Sequence, residues 1–319
     1  MSEIIHRSIE TNGIHLHVAE RGDGPLVMLC HGFPESWYSW RHQLTALAEA
    51  GFRAVAPDMR GYGDSEAPQA IDQYTLLHLI GDMVGLLDAL DASQAVIVGH
   101  DWGAPVAWQA ARLRPDRFHA VIGLSVPYRP RGRVRPTSVM PQTEDAMFYQ
   151  LYFQQPGIAE AEHERDVATT FRKILYSISG NAPERPVGMV PRHGGFLSRL
   201  AEPAVLPTWL TDADLEFYVT QFRHSGFRGG LNWYRNIDRS WELLAPFDGV
   251  PVAVPALYIA GERDPVVKFP GMDQVIPNLS KFVPQLRGTI MLPGCGHWTQ
   301  QERPAEVNRA IIDFLRALV

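Results

Sequence analysis

Ala95-Val96-Ile97-Val98-Gly99-His100-Asp101-Trp102-Gly103 is the stretch whose reading decides the fold. Four apolar residues make a short buried strand, and Gly99 and Gly103 bracket a turn sharp enough to lead straight into a helix. A strand–turn–helix of this outline usually carries serine at its apex, in the pattern Gly-x-Ser-x-Gly. Here the apex is Asp101. A serine hydroxyl needs a base to remove its proton before it attacks, whereas an aspartate with a pKa of about 4 is already an anion at neutral pH. Carboxylates are weak acyl-transfer nucleophiles but capable ones at a strained or activated sp³ carbon. The apex residue therefore points away from ordinary ester hydrolysis.

Outward from this turn the chain alternates short apolar runs with amphipathic segments, the pattern of a mostly parallel sheet with helices on both faces. Residues 26–30, 54–56, 95–98, 120–124, 256–260 and 289–292 read as buried strands. Residues 14–18 alternate, with Ile14, Leu16 and Val18 against His15 and His17, and suggest an antiparallel hairpin edge. Residues 74–90 place Leu76, Ile80, Met83, Leu87 and Leu90 on one helical face. Residues 304–318 open with a proline where the first turn tolerates it and bury Val307, Ile311, Phe314 and Leu315.

The alternation stops after Val126-Pro127 and resumes at Val252. The intervening chain reads as aromatic-rich helices with a Pro/Gly loop over residues 183–207. A helical insertion between two strands would lie over the carboxyl edge of the sheet, where open α/β folds bind ligands. The expected division is therefore a core of residues 1–127 and 247–319 and a helical cap of residues 128–246.

Composition narrows the function. At 319 residues the chain can bury roughly three-quarters of its unfolded surface. Its net charge of −6 argues against nucleic acid or an anionic membrane as the main partner. No apolar run approaches the roughly 20 residues needed to span a bilayer. The first residues lack the layout of a signal peptide, and two cysteines, Cys30 and Cys295, make no disulfide framework, so a reducing cytoplasm is expected. His15 and His17 share a strand face, but no cysteine or carboxylate stands at zinc-ligand spacing and no metal is expected.

Two further segments complete the chemistry of Asp101. Asp264 follows the strand ending at Ala260, and His297, in Gly294-Cys295-Gly296-His297-Trp298, follows the last strand. Each alone has an ordinary explanation, as a turn residue before proline or a packed histidine. Together they follow the order nucleophile, acid, histidine at successive strand ends that α/β-hydrolases use, and a histidine oriented by a carboxylate can activate water near neutral pH. His31-Gly32-Phe33-Pro34 follows the first parallel strand, so the N–H groups of Phe33 and Trp102 can form an oxyanion hole.

With these residues in place the chain resembles the epoxide hydrolases of the α/β-hydrolase fold, most of all the hydrolase domain of the soluble epoxide hydrolases. The matching segments are His31-Gly32-Phe33-Pro34-Glu35-Ser36-Trp37-Tyr38-Ser39-Trp40, Asp58-Met59-Arg60-Gly61-Tyr62-Gly63, the Asp101 turn, and Gly294-Cys295-Gly296-His297-Trp298-Thr299-Gln300. In the insertion they are Tyr149-Gln150-Leu151-Tyr152-Phe153-Gln154 and Gly229-Gly230-Leu231-Asn232-Trp233-Tyr234-Arg235-Asn236. The likeness runs over residues 14–318 and does not extend to the phosphatase domain of vertebrate members. Ala104 stands where many relatives carry a second glycine.

The resemblance implies an α/β-hydrolase fold whose mostly parallel twisted sheet is flanked by helices and topped by a helical cap. It implies hydrolysis of an epoxide to a vicinal diol without a cofactor, through an ester on Asp101 that water activated by His297 and Asp264 then cleaves. It makes Tyr152 and Tyr234 the two phenols that hold the epoxide oxygen, with Tyr149, on a neighbouring helical face, as the competing residue. Trp37, Met147, Phe148, Phe153 and Trp298 are expected to line the substrate pocket. The expected partner is a small-molecule epoxide, and an exposed aromatic cap is a candidate homodimer face. Two other readings use the same residues. A haloalkane or haloacid dehalogenase shares the aspartate and the histidine–acid pair but needs halide-binding donors rather than phenols. A catalytically silent ligand receptor of the same fold would be expected to have lost a member of the set.

Overall fold

The computed structural model describes residues 3–183 and 188–318. An antiparallel hairpin, β1 (Ile5–Thr11) and β2 (Ile14–Arg21), leads into β3 (Leu26–Cys30), α1 (Arg41–Glu49), β4 (Arg53–Pro57), α2 (Leu76–Ala89), β5 (Ala95–His100), α3 (Gly103–Leu113) and β6 (Phe118–Leu124). The inserted segment then carries the short strand β7 (Ala146–Phe148) and the helices α4 (Tyr149–Tyr152), α5 (Ile158–Glu164) and α6 (Val167–Ser177). It continues with β8 (Met189–Pro191), α7 (Asp212–Ser225), α8 (Arg228–Arg235) and α9 (Ile237–Leu243). The chain closes with β9 (Ala256–Gly261), α10 (Met272–Val275), β10 (Leu286–Leu292), α11 (Thr299–Glu302) and α12 (Pro304–Arg316).

Among the described residues, β1–β6, β9 and β10 form one eight-stranded sheet in the order β1-β2-β4-β3-β5-β6-β9-β10. β2 runs antiparallel to β1 and β4, and the strands from β4 to β10 are parallel. The apolar runs of β3, β5 and β9 are buried along their whole length because both sheet faces are covered. Alternate residues enter two separate cores. Met28, Ile97, Val121 and Tyr258 pack with Met83 and Ala107 of α2 and α3, while Val27, Val98, Ile122 and Ile259 pack with Leu44 and Ile311 of α1 and α12.

β6 and β9 pair directly although the whole insertion separates them in sequence. The chain therefore leaves the sheet at the carboxyl end of β6 and builds the insertion from that edge. β7 and β8 pair with each other as a two-stranded antiparallel sheet. These three-residue strands lie in a segment that sequence periodicity reads as helix and loop, because so short a run shows no period. Residues 184–187 of the 183–207 loop lie outside the described residues. α2 starts at Leu76, just after Thr75 accepts a hydrogen bond from the His78 N–H as its N-cap.

Candidate active site

Asp101 sits directly past β5 with φ of +48°, a left-handed conformation that costs about 1–3 kcal/mol in a non-glycine residue. The flanking strand outweighs this, since burying each of Val96, Ile97 and Val98 contributes roughly 1.5–3 kcal/mol. The turn also requires its glycines. A Cβ on Gly99 would collide with the Gly103 carbonyl oxygen, one on Gly103 with the Cys30 carbonyl oxygen, and one on Gly32 with the Asp101 side chain.

The three strand-end residues meet. His297 Nδ1 lies 3.0 Å from Asp264 Oδ1, and its Nε2 lies 3.5 Å from Asp101 Oδ2. The Phe33 N–H donates to Asp101 Oδ1 at 2.8 Å, while the Trp102 amide opens the turn into α3. Asp264 is held by the Val266 N–H at 2.9 Å, and the His297 N–H donates to the Ile178 carbonyl at 2.8 Å, tying the histidine loop to the end of α6.

The electrostatics of this row are strongly coupled. Burial works against the charged form of all three groups, but their mutual attraction prevails. Asp101 is pulled below the ordinary carboxylate value by the hydrogen bond and charge of His297, with help from the Phe33 N–H. Asp264 is lowered by the His297 charge and hydrogen bond. His297 is raised well above the usual imidazole value, chiefly by the Asp264 charge and then by its contact with Asp101. The arrangement favours an imidazolium between two carboxylates.

Asp101 and His297 open into a cavity of about 80 Å³ walled by Phe33, Phe153, Phe196, Val266 and Phe269. Tyr149 and Tyr234 line the same cavity with ring centroids 5.9 Å apart. Burial and the nearby Asp101 charge push both phenols upward, so both are protonated donors at neutral pH. A second cavity of about 600 Å³ adjoins the first and shares Ile178, Pro265 and Phe269 with it.

The sequence expectation for the first phenol is corrected here. The Tyr152 hydroxyl donates to Glu162 Oε2 of α5 at 2.8 Å, and Tyr152 is not among the residues lining either cavity. Tyr149 occupies the place facing Asp101. Three positions along a helix turn a side chain roughly 60° short of a full circle and carry it about 4.5 Å along the axis. On the four-residue α4 that step exchanges the cavity for the α5 contact.

Of the expected pocket residues, Phe153 lines the inner cavity and Phe148 the outer one. Trp37 does not reach either. It packs against His6 and Phe217 in the core that holds α1 and α12. Trp298 is buried behind the imidazole, 4.7 Å from its centroid, with Nε1 donating to the Leu175 carbonyl at 2.8 Å. Met147 pairs with Val190 in the β7–β8 ladder and is not among the cavity residues.

Other buried contacts have no signature in local sequence spacing. His100 bridges Glu35 Oε2 at 2.7 Å and the His297 carbonyl at 2.8 Å. Glu35 also accepts from the Gly32 N–H and from the amides of Gln300 and Gln301, linking the Phe33 loop to the residues after His297. The hint was available, since Glu35 and Gln300 lie inside the quoted matching segments. His17 meets Asp58 at 2.8 Å with Asp64 close by, a grouping formed by the meeting of β2 with the turn after β4.

The fold and the strand-end triad define an α/β-hydrolase, and the family model described as the alpha/beta hydrolase fold matches residues 25–304. Within that class the chain is 46% identical to epoxide hydrolase A of Mycobacterium tuberculosis, over 98% of this chain and 97% of the relative. It is 44% identical to the mouse bifunctional epoxide hydrolase 2 over 96% of its own length and 54% of that protein. Its fold superposes on an epoxide hydrolase from an endophytic Streptomyces with a TM-score of 0.96 and 46% identity, covering 100% of this chain and 97% of that one. The chain belongs to the epoxide hydrolases of the α/β-hydrolase fold.

Proposed function

We propose that this chain hydrolyses a small-molecule epoxide to a vicinal diol in two steps, with Asp101 as nucleophile, His297 as base, Asp264 as its orienting acid, and Tyr149 and Tyr234 as the phenols on the ring oxygen. The observation that carries this reading is one cavity in which a hydrogen-bonded carboxylate faces two protonated phenols. In the first step the Asp101 carboxylate bonds to a ring carbon as the carbon–oxygen bond breaks. The ring oxygen takes a proton from a phenol. Forming the ester removes one of the two anions that hold the proton on His297, and that proton restores the phenol.

His297 is then neutral and able to act. It takes a proton from water as the water oxygen bonds to the ester carbonyl carbon, and the developing oxyanion is stabilised by the N–H groups of Phe33 and Trp102. Collapse expels the diol oxygen, which carries away the proton of the added hydroxyl, and leaves the carboxylate beside the imidazolium. Residues 128–246 act as the cap that brings the phenols over the nucleophile and excludes bulk water. Two phenols suit a basic alkoxide that stays attached to the product, a demand that halide release does not make.

The test is a single turnover with enzyme in excess over styrene oxide in ¹⁸O water, followed by mass spectrometry of the Asp101 peptide and the diol. Label in the peptide with an unlabelled first diol is the expected result. Labelled diol with an unlabelled peptide would mean that water attacks the epoxide directly. No diol, with halide released from an alkyl halide instead, would return the site to dehalogenation.

A further inference from the structure

His297 meets oxygen from two strand ends. Asp264 Oδ1, past β9, lies 3.0 Å from Nδ1, and Ser125 Oγ, directly after β6, lies 3.1 Å from the same nitrogen. β6 and β9 are parallel neighbours with Leu124 opposite Ile259, so their ends arrive side by side.

Ser125 is fully buried and has φ of +69°, where glycine would be the easier residue. Its backbone is pinned there, with the N–H donating to the Ile259 carbonyl at 2.9 Å and the carbonyl accepting from the Tyr258 hydroxyl at 2.7 Å. A side chain retained at an unfavourable backbone angle, aimed at the imidazole, calls for a use. The carboxylate is the stronger acceptor for the Nδ1 proton, which leaves the serine hydroxyl free to rotate and donate. Asp264 Oδ2 is buried and has no hydrogen-bond partner of standard geometry among the described residues, while the Ser125 hydroxyl is among the groups that favour the ionised Asp264.

We propose that Ser125 is a positioning residue: its hydroxyl donates to the Asp264 carboxylate and flanks His297 Nδ1, so that the ends of β6 and β9 together fix the imidazole. The inference rests on His297 serving as the base of the ester-cleaving step. Water activation demands that Nε2 face the ester carbonyl, and a ring held by one carboxylate oxygen alone can swing about that single contact. A second oxygen on the same nitrogen restricts the swing.

Ser125→Gly tests this without adding strain, because glycine tolerates the backbone angle. With rapid-quench measurement of both steps on styrene oxide, ester hydrolysis should slow about tenfold while ring opening changes by less than about twofold. The low-field proton resonance of His297 Nδ1–H should also move, and this readout does not depend on turnover. An unmoved resonance, or ester hydrolysis at the wild-type rate, overturns the proposal. If the wild type forms no ester at all, the two-step reading fails and the resonance alone decides whether Ser125 positions the ring. Exchanging the groups, Ser125→Asp with Asp264→Ser, should hydrolyse ester faster than Asp264→Ser alone. An equal or slower rate would show that the end of β6 cannot serve that nitrogen.

Discussion

The two walls of the catalytic cavity are held in place by different physics. Asp101, Asp264 and His297 stand just past β5, β9 and β10, and their separations are set by a hydrogen-bonded sheet whose central strands are buried throughout. Tyr149 and Tyr234 come from α4, of four residues, and α8, of eight. Their facing is set by side-chain packing and by single anchoring hydrogen bonds, such as the Tyr149 N–H to the Gly188 carbonyl and Trp233 Nε1 to the Arg60 carbonyl. A central strand cannot slip by one residue without sending every side chain into the opposite core, where it does not fit. A single helical turn can present any of several positions, and α4 presents Tyr149 to Asp101 and Tyr152 to Glu162. In the proposed mechanism the sheet wall is therefore the rigid source of nucleophile and base, and the insertion is the adjustable source of the acid.

The largest effects should come from the sheet wall. Asp101→Asn removes the nucleophile and should lower kcat by on the order of 10⁴, with no ester detected by mass spectrometry. His297→Gln should lower steady-state turnover by about 10³ while preserving the first step, giving a burst of ester that persists. Turnover at the wild-type rate in that variant would refute the base assignment.

The insertion wall is sharpened by a paired comparison. Tyr149→Phe should slow ring opening by about 10²-fold, as expected for loss of one donor to a developing oxyanion, and Tyr149→Phe with Tyr234→Phe should stop it. Tyr152→Phe should leave ring opening within about twofold, because its hydroxyl is bound to Glu162. Equal losses in Tyr149→Phe and Tyr152→Phe would break the distinction between the two residues.

The smallest effect is a titration. The raised His297 pKa means that its protonation stabilises the fold fully below the unfolded value of about 6.5, and that this contribution is lost as pH rises through the folded value. Asp101→Asn removes one of the two carboxylates, so the imidazole should titrate at lower pH by NMR. The alkaline decline in melting temperature should begin earlier in step with it.

The core strands were readable because a strand buried on both faces must be apolar along its length, and Ala95-Val96-Ile97-Val98 can be little else. Asp101 and Asp264 were readable as candidates for the related reason that each stands just past such a strand. β10, before His297, is instead an edge strand with Arg287, Thr289 and Met291 exposed, which corrects the expectation of a buried strand over residues 289–292. Residues 146–148 and 189–191 were not readable as strands, since they pair only with each other over three residues. Trp37 and Trp298 illustrate a different failure. Large aromatics beside motif residues look like pocket walls in one dimension, yet both are packed behind the site.

The sequence by itself determined the central sheet, the order of its strand-end groups, and the presence of a carboxylate at the apex of the turn after β5, because these depend on local apolar runs, glycines and side-chain identity. Only the tertiary structure decided which tyrosine faces Asp101, that Ser125 shares His297 Nδ1 with Asp264, and that Glu35 ties the Phe33 loop to the histidine loop through His100. Those contacts join segments far apart in the chain, and their partners are chosen by packing and helical phase, which no local pattern records.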